Sequence, residues 1–168
     1  MTGPSKHRNQ PGAGRGDRLL REWVHDPYKS KSKLPEPTLC PQCGAVFHRG
    51  RWQWARAEAG AHETLCPACH RTNDGVPAGI LSLNGEFLHK HRDEILHLIR
   101  NLEEKEKAEH PLKRIMSEEQ QDDGGLVINF TDPHLARAAG EGVHNAYEGE
   151  LEFHYTEGDT LLRLRWER

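Results

Sequence analysis

Apolar positions are sparse at the start of the chain and become periodic only after residue 80. Over Glu86–Glu109, Leu88, Ile95, Leu98, Ile99 and Leu102 fall on one stripe at helical spacing, with His91 on the same face, which predicts a long amphipathic helix. Pro111 stops it, because its ring removes a backbone donor and clashes with the preceding turn. The run Glu103-Glu104-Lys105-Glu106-Lys107 reads as a solvated face carrying i,i+4 ion pairs. Just upstream, residues 73–79 are dense in turn formers, and residues 80–83 predict a short strand.

A second periodic block begins near Gly124. Residues 126–130 read as a strand, and Asp132-Pro133 opens a helix with an N-cap and a proline at the first helical position. That helix sends Leu135, Ala136, Ala139, Val143 and Ala146 toward a core and ends at Gly149. Leu151, Phe153 and Tyr155 alternate with polar residues, Glu157-Gly158-Asp159 turns, and Leu162, Leu164 and Trp166 alternate again, which predicts a β-hairpin. Arg163 and Arg165 fall on the opposite face of that last strand. Strand, helix, strand, strand is a small α+β layer with its helix on one sheet face.

The first 38 residues are rich in Gly, Pro, Lys, Arg and Ser, so they cannot bury enough surface to offset chain entropy and are expected to be a disordered basic arm. Leu19, Leu20, Trp23 and Val24 are the exception and suit a short helical turn. The expected division is a basic arm over 1–38, a cysteine-bearing module over 39–79, the long helix and linker over 80–123, and a β-α-β-β module over 124–168. Apolar residues are 35% and charged residues 29% of the 168, which argues against one large core. Net charge is −3, yet residues 1–39 hold eight Lys and Arg against four Asp and Glu, a basic head on an acidic body. No apolar run reaches the roughly 18 residues needed to cross a membrane, and no apolar signal core follows Met1, so a soluble cytoplasmic protein is expected.

The only four cysteines form two matched pairs, Cys40-Pro41-Gln42-Cys43-Gly44 and Cys66-Pro67-Ala68-Cys69-His70, with twenty-two residues between Cys43 and Cys66. A two-residue gap lets both thiolates of a pair face one ion from a tight turn, and four thiolates around Zn2+ make a closed, structural tetrahedral site. Disulfides and CxxC redox chemistry are the rivals; the first lacks signs of secretion, and the second favours a single CxxC. His48, His62 and His70 are potential substitutes for a cysteine, read as bystanders beside four thiols.

Between the pairs, residues 46–48 and 50–54 read as short strands, with Trp52 and Trp54 on one face and Arg51 and Gln53 on the other. An aromatic, basic strand suits stacking with nucleobases; the alternative is that the tryptophans cover the metal. Lys29, Lys31, Lys33, Arg49, Arg51, Trp52, Arg56 and Arg71 are the candidate nucleic-acid contacts. Arg49, Arg51 and Arg71 have a second reading, softening the −2 charge of a four-thiolate zinc. The chain has no Gly-rich phosphate loop followed by Lys, no nucleophile elbow and no histidine–glutamate–histidine zinc motif, so neither catalysis nor a small-molecule substrate is expected.

Several blocks resemble a bacterial zinc-ribbon family of similar length: both cysteine knuckles, Gly50-Arg51-Trp52, Pro77-Ala78-Gly79, His91-Arg92-Asp93-Glu94-Ile95, His110-Pro111-Leu112-Lys113-Arg114-Ile115 and Thr131-Asp132-Pro133-His134-Leu135-Ala136-Arg137. The resemblance spans roughly residues 36–168. More distantly, the chain is similar to the Nmd-type adaptor family, which joins paired CxxC zinc sites to small α+β domains and binds the large ribosomal subunit. That resemblance implies Cys40, Cys43, Cys66 and Cys69 as metal ligands and a ribosomal particle as partner. The expectation is a non-enzymatic zinc protein that binds RNA or a ribosomal particle; the alternative is a zinc-dependent protein-interaction adaptor without nucleic acid.

Overall fold

A computed structural model of the chain describes residues 26–155 and 160–168. Most of the expected basic arm, including the turn at Leu19, Leu20, Trp23 and Val24, lies outside the described residues, as does the Glu157-Gly158-Asp159 turn.

The described part is mixed α and β, with three helices and two sheets. Four short strands, β1 (Thr38–Leu39), β2 (Val46–His48), β3 (Arg51–Gln53) and β4 (His62–Glu63), form a sheet of order β3-β2-β1-β4. β2 and β3 are joined by a two-residue turn in which Arg49 (φ 50) and Gly50 (φ 77) both adopt positive φ, the geometry that matches strand twist in tight hairpins. Glu36 holds this turn by accepting the backbone N–H groups of Arg49 and Gly50 at 2.9 and 3.1 Å. A short helix, α1 (Pro67–Asp74), comes next. Pro67 starts it, and it ends on Gly75 in the left-handed region at φ 67.

The second sheet contains β5 (Gly79–Asn84), β6 (Ile115–Gln120), β7 (Leu126–Phe130), β8 (Glu150–Tyr155) and β9 (Leu162–Glu167) in the order β6-β7-β5-β9-β8. Only the β5–β9 pair is parallel. The long helix α2 (Glu86–Glu109) and α3 (Pro133–Tyr147) pack against each other and on one face of this sheet. Between them lies the main core, where Leu88, Ile95 and Ile99 of α2 and Leu135, Ala139 and Val143 of α3 meet Leu81, Ile128, Leu164 and Trp166. The Asp132 carboxylate caps α3 by accepting the Leu135 N–H at 2.9 Å, as its position before Pro133 requires.

The sequence pattern separates residues 80–123 from 124–168, whereas the structure runs one sheet through both. β5 lies between β7 and β9, and β6 flanks β7. Leu81 and Leu83 bury under the helices while Ser82 and Asn84 face the other way, and β5 is paired along both of its edges, with β7 and with β9. Two local expectations, for Ala146 and for the Glu103-Glu104-Lys105-Glu106-Lys107 run, are also corrected. Ala146 is exposed, because α3 ends at Tyr147 and turns through Glu148 at φ 60. Phe153 and Tyr155 remain about 40% exposed, because β8 is the sheet edge. Glu103 and Glu106 point to the segment after the helix, accepting from Ile115 N–H and pairing with Lys113, rather than forming ion pairs within their own run.

Candidate metal centre

Each cysteine is placed by local backbone geometry. Cys40 follows β1, and the chain curls back through a turn in which Gly44 N–H reaches Cys40 C=O at 2.9 Å and Cys40 N–H reaches Ala45 C=O at 2.8 Å. Gly44 supplies the positive φ, 81°, that this curl needs. Cys66 is the N-cap of α1, its sulfur accepting the Cys69 N–H at 3.4 Å. The second knuckle is thus the first turn of a helix, whose positive end faces the sulfurs.

The four sulfurs lie within 4.8 Å of one another. Cys43 and Cys66 are 3.8 Å apart, far beyond a disulfide bond. A tetrahedron with metal–sulfur bonds of about 2.3 Å has edges of about 3.8 Å, so the spacing suits ligands of one ion. Cys40, Cys66 and Cys69 are essentially buried. These four side chains can hold a metal ion, and among the described residues no histidine belongs to the cluster.

The electrostatics favour a cation there. Burial is the largest influence on Cys66 and pushes its thiol well above the usual range, despite the Cys69 N–H and the nearby Arg114; burial likewise pushes Cys69 up. Burial also acts to raise Cys40, but the backbone N–H groups of Cys66, Cys43 and Gln42 outweigh it and hold that thiol down at about 7. Four thiolates packed this closely need a compensating positive charge. Part of it is supplied by Arg114, whose guanidinium donates to Cys43 Sγ at 3.1 Å, Cys69 Sγ at 3.3 Å and Cys66 Sγ at 3.4 Å. Burial works against the charged guanidinium, yet the sulfurs prevail and hold its pKa above the ordinary arginine value.

Arg114 comes from the segment between α2 and β6, so it fastens the cysteine module to the second sheet. Its Nε–H donates to Pro111 C=O at 2.6 Å, and its backbone N–H donates to Thr131 Oγ1 at 2.8 Å. Trp52 and Leu112 pack against the cysteine cluster. Trp54 adds a further link, its indole N–H donating to Lys107 C=O at 2.7 Å near the end of α2. The two tryptophans therefore have different tasks: Trp52 covers the sulfurs and Trp54 reaches the long helix.

The candidate nucleic-acid residues separate into three groups. Lys29, Lys33, Arg51 and Trp52 line one groove of about 700 Å³ between residues 27–34, the β2–β3 hairpin and residues 110–113. Lys31, Arg49 and Arg56 are exposed outside that lining. Arg71 is only 4% exposed and faces inward, donating to Asp26 at 2.6 Å and Val76 C=O at 3.2 Å with its guanidinium over the Tyr28 ring. Of the arginines, it is Arg114 that meets the sulfurs. Sequence distance hides it, since nothing in a loop 45 residues past Cys69 marks a thiolate partner. Comparison of the chain with protein-family models, with curated proteins and with solved structures finds no match.

Proposed function

We propose that this chain is a non-enzymatic, cytoplasmic zinc protein that binds RNA or a ribosomal particle. A four-thiolate site leaves no coordination position for water or substrate, which makes the metal structural. Among the described residues no helix is long and apolar enough to cross a membrane. The observation that carries the RNA reading is the exposed basic surface beside the cysteine module: Lys29, Lys31, Lys33, Arg49, Arg51 and Arg56 are all exposed, and among the described residues none has a carboxylate within ion-pair distance of its side chain. Such charges release counterions from phosphates and attract a polyanion despite a net charge of −3. The resemblance to large-subunit adaptors makes a ribosomal particle the first partner to test.

A second reading is a protein-interaction adaptor. It is favoured by Phe153 and Tyr155, which stand exposed on the edge strand β8, where a partner strand can add. Salt separates the two. Tagged protein sedimented with ribosomes and total RNA should lose its hold steeply as salt rises if phosphates are the contact. Salt-insensitive capture of protein alone would place the adaptor reading first.

A further inference from the structure

Resting on the RNA reading above, we infer that the groove between residues 27–34, the β2–β3 hairpin and residues 110–113 is a site for a single, unpaired RNA strand. Its wall is anchored rather than loose: Asp26 pairs with the buried Arg71 at 2.6 Å, and Tyr28 packs edge-on to His70 while its hydroxyl donates to Asp74 at 3.0 Å. Lys29 and Lys33 project from this anchored segment, and Arg51 faces the same space from β3. All three are exposed, with no carboxylate partner among the described residues. Phe47 and Trp52 also line the groove, half-buried and directly opposite each other across the hairpin, with ring centroids 5.7 Å apart at 63°.

The charge balance and the rings decide the ligand class. The acidic residue in the lining, Asp132, is committed to the α3 cap, and Lys113 there is already paired with Glu106. Exposed cations beside half-buried aromatic rings suit phosphates on the cations and flat bases on the rings, the arrangement used for single strands. A duplex keeps its bases stacked and paired, so it reaches the cations and leaves the rings uncovered. An acidic peptide meets the cations but offers no flat group to the rings. The volume, about 700 Å³, lies within the range of ligand-binding clefts.

The test uses the full chain loaded with zinc and monitors anisotropy of a short labelled oligouridylate, with duplex RNA and oligoglutamate as competitors. The single strand should bind at least about tenfold more tightly than the duplex, and oligoglutamate should not displace it. Lys29→Ala/Lys33→Ala/Arg51→Ala should weaken binding at least about tenfold and reduce the slope of log affinity against log salt by about 2. Phe47→Leu should weaken the single strand and leave any duplex binding unchanged, while Lys90→Ala, near the start of α2 and outside the groove, should leave single-strand affinity as it is. Equal binding of single strand and duplex, or equal loss in Lys90→Ala and the triple variant, overturns the groove and leaves the RNA reading intact. Displacement by oligoglutamate overturns it in favour of an acidic peptide. Binding to no RNA of either form removes both readings together.

Discussion

Arg114 donates from Nη2 to the sulfur of Cys43 at 3.1 Å, although 71 residues separate them in the chain. Together with the Trp54 hydrogen bond to Lys107, this contact joins the cysteine module to the rest of the described fold, and it sets a charge beside sulfurs that would otherwise repel one another. Removing it should therefore loosen both the metal and the junction. Arg114→Met is expected to cost about 2–3 kcal/mol, the range for hydrogen bonds to charged groups. Denaturant titration gives the stability, and competition with a chelator should show faster metal loss. Arg114→Lys should recover only part of this, because a single ammonium cannot span three sulfurs as a planar guanidinium does. Unchanged chelator kinetics in Arg114→Met would remove its role.

The four-cysteine cluster was legible in the sequence because a CxxC pair is a local feature, and so were α2 and α3, whose stripes and caps are local as well. Leu88, Ile95 and Ile99 are buried where the helical stripe put them, and Asp132 caps α3 as its place before Pro133 requires. What escaped depends on partners far along the chain. Nothing in residues 80–83 says that their strand lies between β7 and β9, and nothing near Arg114 announces three sulfurs. Arg71 looks like any exposed arginine of a basic stretch until Asp26 closes over it. The second knuckle also takes a form that spacing does not determine, since Pro67 makes it the start of a helix.

The approach of β5 to α3 makes a sharp prediction about glycine. A Cβ built on Gly79 would lie 2.4 Å from the Ala136 Cβ, a rigid neighbour, whereas one on Gly142 would meet only Leu98 and Leu102 at 3.5 and 3.7 Å. Gly79→Ala should destabilise the fold by about 1–3 kcal/mol through overpacking. Gly142→Ala, inside α3, should stabilise it by about 0.5–1 kcal/mol, because alanine has the better helix propensity. Thermal melts of the two variants should move in opposite directions, and a shared direction would contradict the packing described for α3.

Acid should act on the contacts that tie α2 to Lys113 and to β6. Hydrogen bonds from Arg100 hold the Glu118 carboxyl below its ordinary range, and a hydrogen bond from Lys113 does the same for Glu106. A depressed folded-state value means that folding favours the carboxylate. Its stabilising effect is complete above the ordinary carboxylate range and disappears as pH falls through the depressed value. Protection of the β6 amides, measured against the intrinsic exchange rate at each pH, should fall across that acidic window in the wild type. In Glu118→Gln the step should shrink, leaving exchange faster at neutral pH and less sensitive to acid; an unaltered step would show that the Arg100 contact is not formed in solution.

Loss of a single ligand should be felt locally and strongly. Structural zinc contributes on the order of 10 kcal/mol to small folds at neutral pH. Cys66→Ser removes one sulfur from the cluster while leaving a hydroxyl that can still cap α1, so amides of residues 38–75 should exchange freely through loss of the metal site while the α2–α3 core stays protected. Protection equal to wild type across residues 38–75 would mean that those short strands stand without metal.

The most direct test of the whole account is titration of the reduced, metal-free chain with Co2+, then displacement with Zn2+. Four convergent thiolates predict saturation at about one ion per chain, with the intense visible bands of tetrahedral cobalt–thiolate coordination, bleached by one equivalent of zinc. A spectrum without those bands, or saturation that persists when Cys40, Cys43, Cys66 and Cys69 are all replaced by serine, would contradict it.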